Sequence, residues 1–126
     1  MQSKPPKPAT RRGSLPHARF KGTNVKIFKE MQALKRRILP DERVVLYGSR
    51  ARGDAREDSD WDLLVLLNKD KRNYSEDFDR YAYPFTEIGL KHDTVVSIQI
   101  YTTKDWEKGK AFPFYKNVER EGVEIV

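Results

Sequence analysis

The chain has 126 residues, 35% of them charged, with a net charge of +6 and no cysteine. That length supports one domain's core and not two. The missing thiols exclude a disulfide framework and a thiolate zinc site. No apolar run reaches the roughly 18 residues of a membrane span, and the N-terminus lacks the apolar core of a secretory signal. A cytoplasmic protein without membrane contact is the expectation.

The positive charge is unevenly placed. Residues 1–26 hold seven Lys or Arg and no acid, whereas residues 27–126 hold 18 basic and 19 acidic side chains. The segment 1–23 is Pro-rich, with prolines at 5, 6, 8 and 16, and it has few apolar residues and no periodicity. This is the composition of a disordered, solvated tail, and its prolines would break the amphipathic helix of a transit peptide. A basic arm that touches nucleic acid is the alternative reading, weakly supported because the remaining body is close to neutral.

From Val25 the pattern changes. Ile27, Phe28, Met31, Leu34 and Ile38 recur at three- and four-residue spacing, which predicts an amphipathic helix closed by Pro40. "ERVVLYG" and "WDLLVLL" then read as two central strands, the second a continuous apolar run. Phe78, Tyr81 and Phe85 predict a helix across residues 73–92, bent or broken near Pro84. "TVVSIQIYT" reads as a third strand, Thr103 as the N-cap of a helix over "KDWEKGKAF", and Pro113 as the first turn of a helix over "PFYKNVERE". Gly122 ends that helix before an apolar "VEIV". The expected class is α+β, a small mixed sheet of three or four strands covered by helices.

Chemistry concentrates between the first two strands. Asp60 and Asp62 are two apart at a strand start, so their side chains share a face with Cα atoms roughly 6.5 to 7 Å apart. Paired carboxylates beside a buried run need a counter-charge, and carboxylate oxygens are hard ligands suited to Mg²⁺ at a phosphoryl-transfer site. Gly48 ends a strand and lets the backbone approach a ligand, and Ser49 offers a hydroxyl and an amide for phosphate. Arg50 and Arg52 can neutralise phosphate charge or pair with Asp54, Glu57 or Asp58. His17 and His92 have no partners at metal-ligand spacing.

Together, "GSRARGDAREDSDWDLLV" is similar to the signature of the nucleotidyltransferase superfamily typified by DNA polymerase beta, and most of all to its minimal, single-domain branch. The resemblance implies the nucleotidyltransferase fold over residues 24–126. It also implies that Gly48 and Ser49, with Arg50 and Arg52 beside them, hold the phosphates of a nucleoside triphosphate such as ATP. Asp60 and Asp62 would then be the catalytic carboxylates that ligate Mg²⁺. One departure stands out: many members carry a third carboxylate on the strand after the helix, where this chain has Ser97 and Gln99, with Asp93 ahead of the strand.

The C-terminal stretch "YTTKDWEKGKAFPFYKNVEREGVEI" resembles that of small bacterial nucleotidyltransferases encoded beside a HEPN-domain protein in toxin–antitoxin pairs. It implies transfer of AMP from ATP to a hydroxyl on a HEPN-domain partner. The alternatives are a nucleotide-binding or protein-binding antitoxin without turnover and, more weakly, a nucleic-acid-tailing module.

Overall fold

A computed structural model describes residues 20–126. Helix α1 (Thr23–Ile38) buries Ile27, Phe28, Met31 and Leu34, the apolar stripe of its sequence. It leads to strand β1 (Arg43–Tyr47), a helical turn α2 (Ser49–Arg52) and strand β2 (Trp61–Leu67). Then follow α3 (Tyr74–Asp77), a π-helical turn over Phe78–Ala82 and α4 (Tyr83–Lys91). Strand β3 (Val96–Thr102), α5 (Thr103–Lys108), α6 (Pro113–Glu121) and the two-residue strand β4 (Val123–Glu124) complete the chain.

The strands form one mixed sheet in the order β3-β2-β1-β4. β1 runs antiparallel to β2 and β4, and β2 runs parallel to β3. Helices α1 and α4 cover one face, packing Phe28, Met31 and Phe85 against Leu46, Leu63 and Val65. On the other face Trp106 of α5 and Val118 of α6 pack on Val45, Leu64 and Leu66. Coverage of both faces explains why β2 is apolar without alternation after Asp62.

Three local expectations shift. Pro84 does not break the long helix: it opens α4, and the widening falls just before it, where Tyr83 N bonds Phe78 O five residues back. A proline nitrogen cannot donate and its ring crowds the preceding turn, so the π-helical turn accommodates both defects. The N-cap of α5 is Thr102, not Thr103; its Oγ1 accepts from Asp105 N at 3.0 Å. The third shift concerns the tail. Residues 1–19 lie outside the described residues, but Phe20 is buried, with its ring 5.1 Å from that of Phe28 and 5.3 Å from that of Trp61. A boundary at residue 23 is therefore too late. The isolated aromatic in a polar segment has no periodic partner and gave no pattern to read.

Phe20→Ala is expected to lower the unfolding free energy by about 3 kcal/mol, the usual cost of deleting a buried ring. Deletion of residues 1–19 is expected to leave the urea midpoint unchanged. Equilibrium unfolding of both variants checks this, and equal losses would show that Phe20 contributes no more than the residues before it.

Candidate active site

The site grows from the pairing of β1 with β2. Tyr47, the last residue of β1, lies opposite Asp62, the second residue of β2, and Asp62 lies opposite Ser97 of β3. Facing residues share a side of the sheet, so Ser97, Asp62 and Tyr47 form a row on the face that carries α5 and α6. The chain turns after Tyr47 at Gly48, whose φ of 77° belongs to the left-handed region. A Cβ there would overlap Asp62 Oδ2 and stand 3.3 Å from its Cγ. Only glycine fits, and its backbone lies directly against the carboxylate.

Ser49 follows as the first residue of α2, and its carbonyl accepts from Gly53 N at 2.9 Å and Asp54 N at 3.1 Å. Gly53 closes the turn at φ 90°. Gly48 and Ser49 and the carboxylates, with ten residues between Ser49 and Asp60, thus meet at one end of the sheet.

Asp62 is half-buried, and its pKa is raised by burial and by the neighbouring charge of Asp60, with Arg52 acting against both. Tyr47 is pushed up to about 12, first by burial and then by Asp62, so it stays a neutral phenol. A pair of acceptor-only carboxylates whose mutual repulsion is left standing fits a divalent cation in donor chemistry and charge. Asp60 and Asp62 would hold it. Among the described residues no group of three or more Asp, Glu, His or Cys gathers into a metal cluster; a hard cation on two carboxylates would take water and phosphate oxygens as its other ligands.

The two arginines diverge. Arg52 is exposed and pairs with Asp54 at 3.3 Å and with Glu121 of α6 at 3.6 Å. It lines a cleft of about 240 Å³ with Tyr47, Gly48, Phe114, Asn117, Val118 and Glu121. Arg50 points elsewhere: it is buried and donates to the carbonyls of Ser59 and Glu57. Of the two arginines assigned to phosphate, only Arg52 borders the cleft beside Gly48.

β3 carries no acid, and Ser97 and Gln99 stand on Asp62's face. Asp93, with φ 58°, lines a different cleft with Lys21, Arg50 and His92. His92 contacts Glu30 at 2.9 Å, away from the carboxylate pair. The third carboxylate is absent from β3.

The family model of the nucleotidyltransferase domain matches residues 25–123. The chain belongs to the nucleotidyltransferase domain family. A Methanocaldococcus jannaschii protein named as a candidate protein adenylyltransferase is 35% identical over 108 residues, covering 80% of this chain and 97% of that protein. A second candidate protein adenylyltransferase of the same organism is 31% identical over 81 residues, covering 64% of this chain and 74% of that protein. The chain is accordingly a nucleotidyltransferase with a four-stranded mixed sheet. Among its described residues no helix is long and apolar enough to cross a membrane.

Sequence reasoning missed the wall that α6 gives this nucleotidyltransferase. Phe114, Asn117 and Glu121 reach the cleft because β4 pairs with β1 and folds α6 back toward Gly48. Nothing in a two-residue strand announces that pairing. The spacing of Asn117 and Glu121, four apart on one helix face, was the available signal.

The raised pKa of Asp62 carries a sign. The folded chain binds this proton more tightly than the unfolded chain, so stability falls as pH climbs from the ordinary carboxylate range through the raised value. Asp62→Asn removes that fall. In EDTA, the variant's stability relative to the parent is expected to improve between pH 3 and pH 7 in urea titrations; parallel curves would show that Asp62 ionises without penalty.

Proposed function

We propose that the chain is a Mg²⁺-dependent adenylyltransferase acting from ATP on a hydroxyl of a protein partner. The observation that carries this reading is the contact of Gly48 with the Asp62 carboxylate, which makes phosphate cradle and carboxylate pair a single site. The names of the two relatives support the choice of AMP and of a protein acceptor.

In this reading Gly48 and Ser49 present backbone and hydroxyl to the triphosphate, and Arg52 exchanges its pairing with Asp54 and Glu121 for phosphate oxygens. Asp60 and Asp62 hold Mg²⁺, which when bound supplies charge neutralisation at the phosphates. The acceptor oxygen attacks the α-phosphorus, forming one P–O bond while the P–O bond to the β-phosphate breaks and pyrophosphate leaves. Neither Ser97 nor Gln99 is a base at neutral pH, so the hydroxyl's proton passes to solvent. Catalysis then rests on holding the acceptor in line, which a bound partner does better than a free small molecule.

The resemblance of the C-terminal stretch supports a HEPN-domain partner and an antitoxin role. In this stretch Trp106 is core and Phe114, 37% exposed, packs edge-on against Tyr47 and Trp106, so Phe112, 65% exposed, is the aromatic side chain best placed to meet a partner. The lack of an acid on β3 favours one second reading, a nucleotide-binding antitoxin that works by binding alone.

Mass spectrometry of the chain co-expressed with a HEPN-domain protein, in the presence of Mg-ATP, is expected to find AMP on the partner. Asp60→Asn with Asp62→Asn should reduce it by at least a hundredfold, and the chain alone should label small acceptors poorly. A tight complex with an unmodified partner would leave only the binding reading.

A further inference from the structure

Arg50 sits in the phosphate turn, yet its side chain serves the other half of the site. The residue is 5% exposed, and its guanidinium carbon lies 4.8 Å from the centre of the Trp61 ring. Nε donates to Ser59 O at 3.1 Å, and Nη2 donates to Ser59 O at 2.7 Å and to Glu57 O at 3.0 Å. These carbonyls belong to a tight turn in which Ser59 N donates to Arg56 O at 3.1 Å and Arg56 N donates to Ser59 Oγ at 2.8 Å. One residue beyond Asp60, Trp61 N donates to Val95 O at 2.9 Å. Asp60 is thus the single residue between a turn gripped by Arg50 and a strand anchored to its neighbour.

The grip has work to do. The connector from Gly53 to Asp60 carries four exposed acids, Asp54, Glu57, Asp58 and Asp60, against one base, Arg56; Asp54 pairs with Arg52, and the acids that remain in excess push the segment open. A buried guanidinium needs hydrogen bonds to replace its water, and the forked donors take two carbonyls of one turn while the flat ion stacks on Trp61. A lysine ammonium can neither fork nor stack in this way.

We propose that Arg50 is a positioning residue: by holding the Glu57 and Ser59 carbonyls it fixes Asp60 beside Asp62 and so completes the cation site. The inference rests on the reading of these carboxylates as the cation ligands. It separates the two arginines of the motif into a phosphate partner, Arg52, and a clamp for the carboxylate loop, Arg50.

The test uses the full chain, Mn²⁺ as the probe ion and a non-hydrolysable ATP analogue, with Arg50→Met, Arg50→Lys and Ser59→Ala. Electron paramagnetic resonance should show Mn²⁺ binding weakened about tenfold in Arg50→Met and less in Arg50→Lys, while analogue binding in EDTA is unchanged. Amide hydrogen exchange of residues 56–60 should speed up while that of Leu64, inside the sheet, does not. A merely structural arginine would weaken both ligands and loosen the sheet as well. Should Arg50→Met fail to fold, Arg50→Lys and Ser59→Ala, which removes only the hydroxyl bond closing the same turn, carry the same readouts. Unchanged Mn²⁺ affinity and unchanged exchange in these two variants overturn the proposal. If the parent chain binds no Mn²⁺, the cation reading itself fails, and unaltered exchange at 56–60 in Arg50→Lys then overturns the clamp separately.

Discussion

The Asp62 carboxylate occupies the space that a side chain at residue 48 would need, and much of the molecule follows from that contact. It requires β1 and β2 to pair so that Tyr47 faces Asp62, which fixes the register of the two central strands. It requires glycine where the chain leaves β1, and the turn at Gly48, with φ of 77°, opens directly into the short helix at Ser49. A one-residue slip would send Asp62 into the apolar face filled by Phe28 and Met31. Core packing and site assembly are therefore the same choice of register.

Electrostatics sets this place apart from the other acids. Burial pulls Asp77 upward, but Lys69, the Asn73 amide and Arg72 hold it below the ordinary carboxylate range. Glu119 and Glu124 share Arg43, and Glu119 also accepts from Trp106 Nε1 at 2.8 Å. These groups tie distant segments together and find cationic partners within the chain. Asp62 shifts the other way, raised first by burial and then by the charge of Asp60. A carboxylate raised by burial and a like charge, beside the glycine that borders a cleft, is the pattern that supports the proposed cation site.

The sequence carried those features that depend on local pattern. The helical spacing from Ile27 to Ile38, the apolar run of β2 and the Gly-Ser to Asp-x-Asp interval each survive as structure because neighbours in sequence decide them. What eluded the sequence depends on contacts at long range. Phe20 is core only because Trp61 and Phe28 come to it, and Arg50 is a clamp only because the connector folds back over Trp61. Two arginines in one turn look equivalent as charges; the fold makes one exposed and one buried.

In the proposed reading a divalent cation sits between Asp60 and Asp62 against the Gly48 turn. Mn²⁺ broadens amide resonances steeply with distance, so a titration of the isotopically labelled chain, with the ATP analogue present, reads the position directly. The account predicts that the amides of Gly48, Ser49, Asp60, Trp61 and Asp62 broaden first, and that those of Asp77, Asp93 and Glu124 persist. Broadening centred on any of the latter three, or spread evenly over the exposed acids, would contradict it.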